Sequence, residues 1–334
     1  MDPNLFPSLN ELQENAHVVS LPMRVKFRGI LRREALVFRG PSGWGEFSPF
    51  PEYGDTEAAP WLAAGIEAAW QGYPEPVRTS VPVNGTVPAV GVEQVETVLA
   101  RFGDVPAVKV KVAERGQSVA EDLARVAEVR RLLPNAGIRV DANGGWDVAT
   151  AVGALESLAE AGLEYAEQPV PDIPGLRAVR GELGRRGIPV LVAADESVRK
   201  ETDPLLVARE DAADLIVVKA APLGGVRRAL EVVAAAGLPA VVSSALDTSV
   251  GIRTGVALAA SLPELPYACG LGTLSLMEGD VTGEPLLPDG GALAVREVPV
   301  STELLERYAA APERRQWWLD RLARVHKQLL ARQP

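Results

Sequence analysis

The sequence predicts an α/β protein in which a closed parallel barrel of the (β/α)8 type carries a smaller α+β capping unit. Chain length, the spacing of apolar runs and the helix signals between them lead there. At 334 residues the chain exceeds one small domain. A barrel takes about 200–250 residues and leaves a remainder for a second unit. Eight short runs rich in β-branched residues begin at Val81, Ala107, Ile138, Leu163, Ile188, Asp214, Leu238 and Tyr267. Their starts lie roughly 25–30 residues apart, the length of one strand, one helix and two loops.

Before Val81 the pattern differs. Alternating runs over residues 17–27, 33–40 and 43–50 read as antiparallel strands, and an Ala-rich helical stretch covers 56–71. Residues 1–80 are therefore expected to form the α+β cap. Within the barrel region, 81–285, Ser118-Val-Ala-Glu121 is a capping box that opens a helix through Leu133, closed by Pro134-Asn135 and Gly137. A further helix over 225–236 stops at Gly237-Leu-Pro239. Residues 286–334 contain one charged amphipathic helix over 301–332, expected to pack back on the cap.

Apolar residues make up 47% and charged residues 23%, so a sizeable core can be buried. The net charge of −10 opposes attraction to nucleic acid or to an anionic membrane and favours a small-molecule partner. The single cysteine, Cys269, excludes an internal disulfide and a Cys-rich metal site, and reads as a small core residue. The start of the chain lacks a basic segment leading into an apolar one, and the apolar tract 229–246 is broken by Glu231, Gly237 and Pro239. Neither a signal peptide nor a membrane span is expected, and the location expected is cytoplasmic.

In parallel barrels, chemistry sits at the C-terminal ends of the strands. Five consecutive runs end in ionisable residues: Lys109 and Lys111, then Asp141, Glu167, Asp195 and Lys219. Alone, a Lys-x-Lys pair is usually a solvated strand edge, and Asp195-Glu196-Ser197 could be a helix cap. As a set they are harder to assign to solubility. Three carboxylates from neighbouring strands repel one another unless a cation lies between them, and hard oxygen donors favour Mg²⁺. His17 and His326 lie outside the barrel pattern, so a His-rich zinc site is unavailable. Lys109 and Lys111 share one strand face, and Lys219 would face Lys111 across the mouth. A lysine near other cations and partly desolvated is expected to have a lowered pKa and so to act as a base. Base and divalent ion together suit removal of a proton beside a carboxylate.

The motifs VKVK, RVDANGGW, EQP, ADES and VVKAAPLGG, holding Lys109, Lys111, Asp141, Glu167, Asp195 and Lys219, resemble those of the enolase superfamily, in its muconate-lactonizing-enzyme-like branch. The resemblance spans nearly the whole chain and implies a modified (β/α)7β barrel. It implies Asp141, Glu167 and Asp195 as ligands of Mg²⁺, with Mn²⁺ as the alternative, and Lys111 and Lys219 as the catalytic pair on opposite faces of a small carboxylate substrate. It makes Lys109 auxiliary. Arg139, on the same strand face as Asp141, is expected to support the cluster. The cap segment FRGILRREALVFRGPSGWGEFSPFPEYGDTEAAPWL implies, more specifically, a dehydration that aromatises a succinyl-bearing cyclohexadiene carboxylate. Ser243, Ser244, Gly270 and Leu271 would then meet the succinyl carboxylate. The competing activity is racemisation of N-succinylamino acids or epimerisation of dipeptides, for which Asp247 is the candidate amine partner, although Asp247-Thr248-Ser249 reads better as a helix cap.

Overall fold

The computed structural model describes residues 6–27, 29–198 and 203–331. Helix α1 (Leu9–Glu14) opens on a reciprocal capping box between Ser8 and Glu11. Strands β1 (Ala16–Phe27), β2 (Ile30–Gly40) and β3 (Gly43–Phe47) form an antiparallel sheet in chain order. Helix α2 (Asp55–Ile66) lies close against β3, and glycine permits the approach: a Cβ on Gly45 would sit 2.1 Å from the Gly65 carbonyl oxygen. The Ala-rich stretch does not stay α-helical throughout, because Glu67–Gln71 widens into a π-turn.

Next come β4 (Ser80–Pro82) and β5 (Asn84–Val87), then α3 (Val95–Leu99), β6 (Ala107–Lys111), α4 (Val119–Leu132), β7 (Gly137–Asp141) and α5 (Val148–Leu158). The alternation continues with β8 (Leu163–Glu167), α6 (Ile173–Arg186), β9 (Leu191–Ala194), α7 (Asp203–Arg209), β10 (Leu215–Val218), α8 (Val226–Ala236), β11 (Ala240–Val242) and α9 (Ser249–Ser261). Strands β5 to β11 pair in parallel, in chain order, as one curled seven-stranded sheet. The α4 capping box forms as the sequence predicts, with the Ser118 hydroxyl and the Glu121 carboxylate each bonded to the other's backbone N–H.

The eighth run does not form an extended strand. Its residues close the ring through two parallel bridges, Val83 to Cys269 and Ser243 to Gly270. A side chain at Gly270 would lie 2.5 Å from Ser243 Oγ, so the seam is too tight for one. A short 3₁₀ turn (Gly272–Leu276) follows where an eighth outer helix would stand, which leaves seven βα units and a closing segment. Cys269 is fully buried at this seam.

Beyond the barrel, β12 (Ala292–Ala294) pairs antiparallel with β4. The single C-terminal helix expected from sequence is two helices, α10 (Thr302–Arg307) and α11 (Pro312–Leu330). Residues between them pair with the edge of β1, Ser20 N–H donating to the Tyr308 carbonyl and Ala310 N–H to that of Val18. Pro312, lacking an N–H, then starts a new helix instead of continuing the old one. Helix α11 lies on the cap, where buried Trp318 meets Phe47 edge-on and donates its indole N–H to Glu34. Arg321 donates to the carbonyls of Phe50 and Tyr53.

Two cap carboxylates reach across to barrel helices. Glu67, in the π-turn, accepts from the N–H groups of Val226 (2.5 Å) and Arg227 (3.1 Å) at the start of α8. Glu46, on β3, accepts from Thr248 and Gly251 N–H (3.2 and 3.0 Å) at the start of α9. Both exploit the orphan N–H groups and positive end of a helix N-terminus. Arg33 of β2 adds a buried bond to the Leu246 carbonyl (3.1 Å). These joints hold the cap over the C-terminal ends of β10 and β11.

Candidate active site

Beneath the cap, a cleft enclosing about 70 Å³ opens at the strand ends, lined among others by Lys109, Lys111, Asp141, Asp195 and Lys219. Parallel register sets these groups side by side: Lys111 pairs with Asp141 and Asp141 with Glu167. Glu167 pairs with Ala193, two residues before Asp195. Asp141, Glu167 and Asp195 are all buried, at 0%, 1% and 7% exposure.

Each carboxylate faces a lysine. Lys109 Nζ lies 2.8 and 3.0 Å from the two Glu167 oxygens and 3.1 Å from Asp141. Lys111 pairs with Asp141, and Lys219 with Asp195. Among the described residues no three acidic, histidine or cysteine side chains are gathered around one point. Opposite-sign contacts are the low-energy arrangement of such groups by themselves. The chemistry of the set still fits a hard divalent cation: three buried oxygen donors lie at adjacent strand ends, with no imidazole or thiolate lining the cleft. Burial, and next the Asp141 charge, push the Glu167 carboxyl up to about 8 despite the Lys109 ammonium. Burial works against ionisation of Asp141 and Asp195 as well. There the ammonium groups of Lys111 and Lys219 respectively, with Lys109, prevail and hold both carboxyls below the ordinary range.

For Lys109 the direction is opposite to that expected from neighbouring cations. Burial alone would lower its pKa, but Glu167 and Asp141 outweigh it and hold the ammonium well above the ordinary value. Lys109 is an ion-pair anchor. Lys111 reaches further into the cleft, donates to Asn143 Oδ1 (2.7 Å) and lies under the Phe27 ring, 5.5 Å from its centroid. Lys219, following β10, stands across the ring from it.

Arg139 does not join this cluster. It shares the face of Asp141 but sits two residues deeper, about 6.6 Å down the strand. There it donates to Glu164 (2.6 Å), Asn84 (3.2 Å) and the Ala268 carbonyl (2.6 Å), with Tyr165 and Tyr267 beside its guanidinium. It serves the barrel floor. Ser243, Ser244 and Gly270 line the cleft, and both hydroxyls donate to the Gly270 carbonyl, at 3.4 and 2.9 Å. Leu271 is fully buried, with its side chain where a Cβ on Gly255 would be, and does not line the cleft. Asp247 also lies outside it, beside Glu46, and the helix cap is Thr248.

Two residues that the sequence reading passed over shape the site. Asn143 accepts from Lys111 and donates to Glu196 (3.1 Å) from a left-handed backbone, φ +46°. Asn tolerates that conformation better than most residues, so an Asn ahead of Gly-Gly is a readable signal. Gln168 ties β8 to the Asp195 loop: its Oε1 accepts from the N–H groups of Asp195 and Ser197 (3.0 and 3.2 Å), and its Nε2 donates to the Val170 carbonyl (2.8 Å).

A curled parallel barrel with an antiparallel cap and a lysine–carboxylate ring at the strand ends defines a class, and comparison agrees. Residues 91–299 match the family described as enolase C-terminal domain-like and residues 18–69 the enolase N-terminal domain-like family, so the chain belongs to the enolase superfamily. Enzymes of that superfamily depend on a divalent metal. The chain is 51% identical over 324 residues to the o-succinylbenzoate synthase of Mycolicibacterium smegmatis, covering 97% of this chain and 98% of that one. It is 50% identical over 327 residues to that of Mycobacterium leprae, covering 98% and 96%. In fold it resembles the muconate lactonizing enzyme of Pseudomonas putida (TM-score 0.71, 22% identity, 89% of this chain and 98% of that one). The 2-chloromuconate cycloisomerase of Rhodococcus opacus 1CP is similar (TM-score 0.73, 21% identity, 89% and 98%). No described helix is long and apolar enough to cross a membrane.

Proposed function

We propose that the chain is an o-succinylbenzoate synthase, a carbon–oxygen hydro-lyase, in which Lys111 is the acid–base group and Lys219 the fixed cation opposite. Full-length relatives at 50–51% identity bear that name. The observation that carries the residue assignment is the placement of Lys111 and Lys219 on opposite sides of one cleft, beside three buried carboxylates.

The substrate is 2-succinyl-6-hydroxy-2,4-cyclohexadiene-1-carboxylate. As a free amine, Lys111 Nζ removes the proton alpha to the ring carboxylate, and the C–H electron pair passes into the carboxylate as an enediolate. That pair then forms the third ring double bond, between the carboxylate-bearing and hydroxyl-bearing carbons, as the C–O bond of the latter breaks. The Lys111 ammonium returns its proton to the departing hydroxyl, which leaves as water from an aromatic product. Aromatisation supplies driving force, so no stronger acid is required. Lys219 stays protonated on the far face and offsets the developing negative charge. Asn143 holds Lys111 in line, and Phe27 shields it from solvent.

Asp141, Glu167 and Asp195 would hold the metal, Mg²⁺ by preference, which when bound stabilises the dianionic carboxylate. Lys109, paired with Glu167 and Asp141, positions that set. The Ser243 and Ser244 hydroxyls, with Gly270 beside them, form the wall against which the succinyl carboxylate fits; the Gly270 N–H is spent on the Val242 carbonyl (2.8 Å). The reaction belongs to menaquinone biosynthesis in the cytoplasm, in agreement with the net charge of −10 and a small-molecule partner.

The test is a spectrophotometric assay following loss of the cyclohexadiene with Mg²⁺ present. Turnover should vanish with EDTA and with Lys111→Ala, while Lys219→Arg, which keeps the cation, should retain a measurable fraction. Equal loss in Lys219→Arg would mean that Lys219 moves a proton, the behaviour of a racemase, and would overturn its assignment here.

A further inference from the structure

Away from the barrel mouth, a second cavity of about 430 Å³ lies between β1, the Gly272–Leu276 turn and α10, within the size range of small-molecule sites. Its wall is polar and incompletely bonded. Ser275 Oγ, Asp280 Oδ2 and Arg101 Nη1 are buried without a hydrogen-bond partner, and all three residues line this cavity. Ser275 and Asp280 are only 6% and 7% exposed. None of the three touches the lysine–carboxylate ring or has a part in the chemistry above.

A buried polar atom left unpaired costs about 1–3 kcal/mol, and folded proteins hold few. Three around one cavity indicate a wall shaped to bond something that enters. The chemistry of the wall limits what that is. Arg101 offers an N–H donor, and Arg24 at the rim brings a second guanidinium, its Nε fixed by the Met277 carbonyl at 2.8 Å. Asp280 offers the opposite: Oδ1 is held by the Ser249 N–H at 3.0 Å, which fixes the carboxyl and leaves Oδ2 open. Ser275 can donate or accept. Leu274, Leu304 and the Tyr308 ring supply apolar sides.

We infer that this cavity is a second binding site, separate from the catalytic cleft, for a small carboxylic acid that also carries a hydroxyl or ammonium group. The ligand carboxylate meets Arg101 and Arg24, and its donor meets Asp280 and Ser275. The two sites share elements. Thr273 lines the catalytic cleft and Ser275 this cavity, both from one 3₁₀ turn, and β1 carries Arg24 here and Phe27 over Lys111 there.

Calorimetric titration of the full chain with L-malate, L-serine and acetate tests the inference. L-Malate or L-serine should bind one to one with Kd of about 1 mM or tighter. Affinity should fall tenfold or more in Arg101→Met and in Leu287→Trp. The second variant fills the mouth from an exposed position, so it leaves the buried atoms and the fold alone. Binding should persist in Lys219→Met. No saturable binding of either acid up to about 20 mM, binding that survives Leu287→Trp, binding lost in Lys219→Met, or acetate binding as tightly as the two acids would each overturn it. Water alone would then satisfy the wall.

Discussion

Glu46→Gln probes the joint between cap and barrel. Glu46 is buried and accepts from Ser48 Oγ (2.6 Å), from Thr248 Oγ1 (2.6 Å) and from the N–H groups of Thr248 and Gly251. Burial, and after it the charge of Asp247, push its carboxyl up from 4.5 to about 7, against the pull of these donors. The folded chain therefore binds this proton more tightly than the unfolded one. The stability from that difference is fully present below the unfolded pKa and is lost as pH rises through about 7. At about 1.4 kcal/mol per pH unit, the interval from 4.5 to about 7 corresponds to about 3 kcal/mol. Glutamine keeps the shape and an acceptor but does not titrate. Urea unfolding followed by tryptophan fluorescence, at pH of about 5 and about 8, should show the gap between the two proteins moving by about 2–3 kcal/mol in favour of Gln at the higher pH. Parallel loss of stability in both proteins would refute the reasoning. Asp247→Asn, which removes the neighbouring charge, should weaken the wild-type dependence.

Arg139→Met strips three hydrogen bonds from the barrel floor and leaves Glu164 uncompensated. With Glu164 a third exposed, the cost comes mainly from the buried Asn84 and Ala268 acceptors left unpaired, about 1–3 kcal/mol in urea unfolding, with little change in kcat for the folded fraction because Arg139 does not line the cleft. Gly270→Ala places a methyl group 2.5 Å from Ser243 Oγ and should lower the melting temperature by the equivalent of about 1–3 kcal/mol while raising KM. Asn143→Ala frees Lys111 from its 2.7 Å partner and should reduce kcat by about 10- to 100-fold with KM little altered; an unchanged kcat would show that Lys111 needs no such guide.

The barrel was legible because its signals are local and repeated: a period of strand plus helix, a capping box at Ser118, and ionisable residues at successive strand ends. The lysine–carboxylate ring was legible for the same reason, since parallel register converts equal positions in sequence into neighbours in space. The rest depended on distance along the chain or depth within the fold. Arg139 and Asp141 share a strand face, and nothing in a two-residue spacing says that Tyr165, Tyr267 and Glu164 claim the deeper one. The eighth run reads as a strand from its apolar residues, but Gly270 against Ser243 admits only bridges. The break before Pro312 was missed, although a proline stands there. Its cause, pairing of residues 308–310 with β1, was not legible. Glu46 and Glu67 cap helices some 160–200 positions away, beyond the reach of any pattern in sequence.

The clasp of α11 on the cap has an architectural consequence. His326 Nε2 lies 3.0 Å from the Pro7 carbonyl, and Arg314 holds Glu34 at 2.6 Å. The cap is thus one body assembled from two stretches of chain, with the entire barrel threaded between them as an insertion. On the ribosome, the sheet that will roof the catalytic mouth is made first and completed last. Until the final helix emerges, Phe47 and Glu34 lack the Trp318 that covers them. A chain stopped before Pro312 would have a barrel with Lys109, Lys111 and Lys219 all in place beneath an unfinished roof.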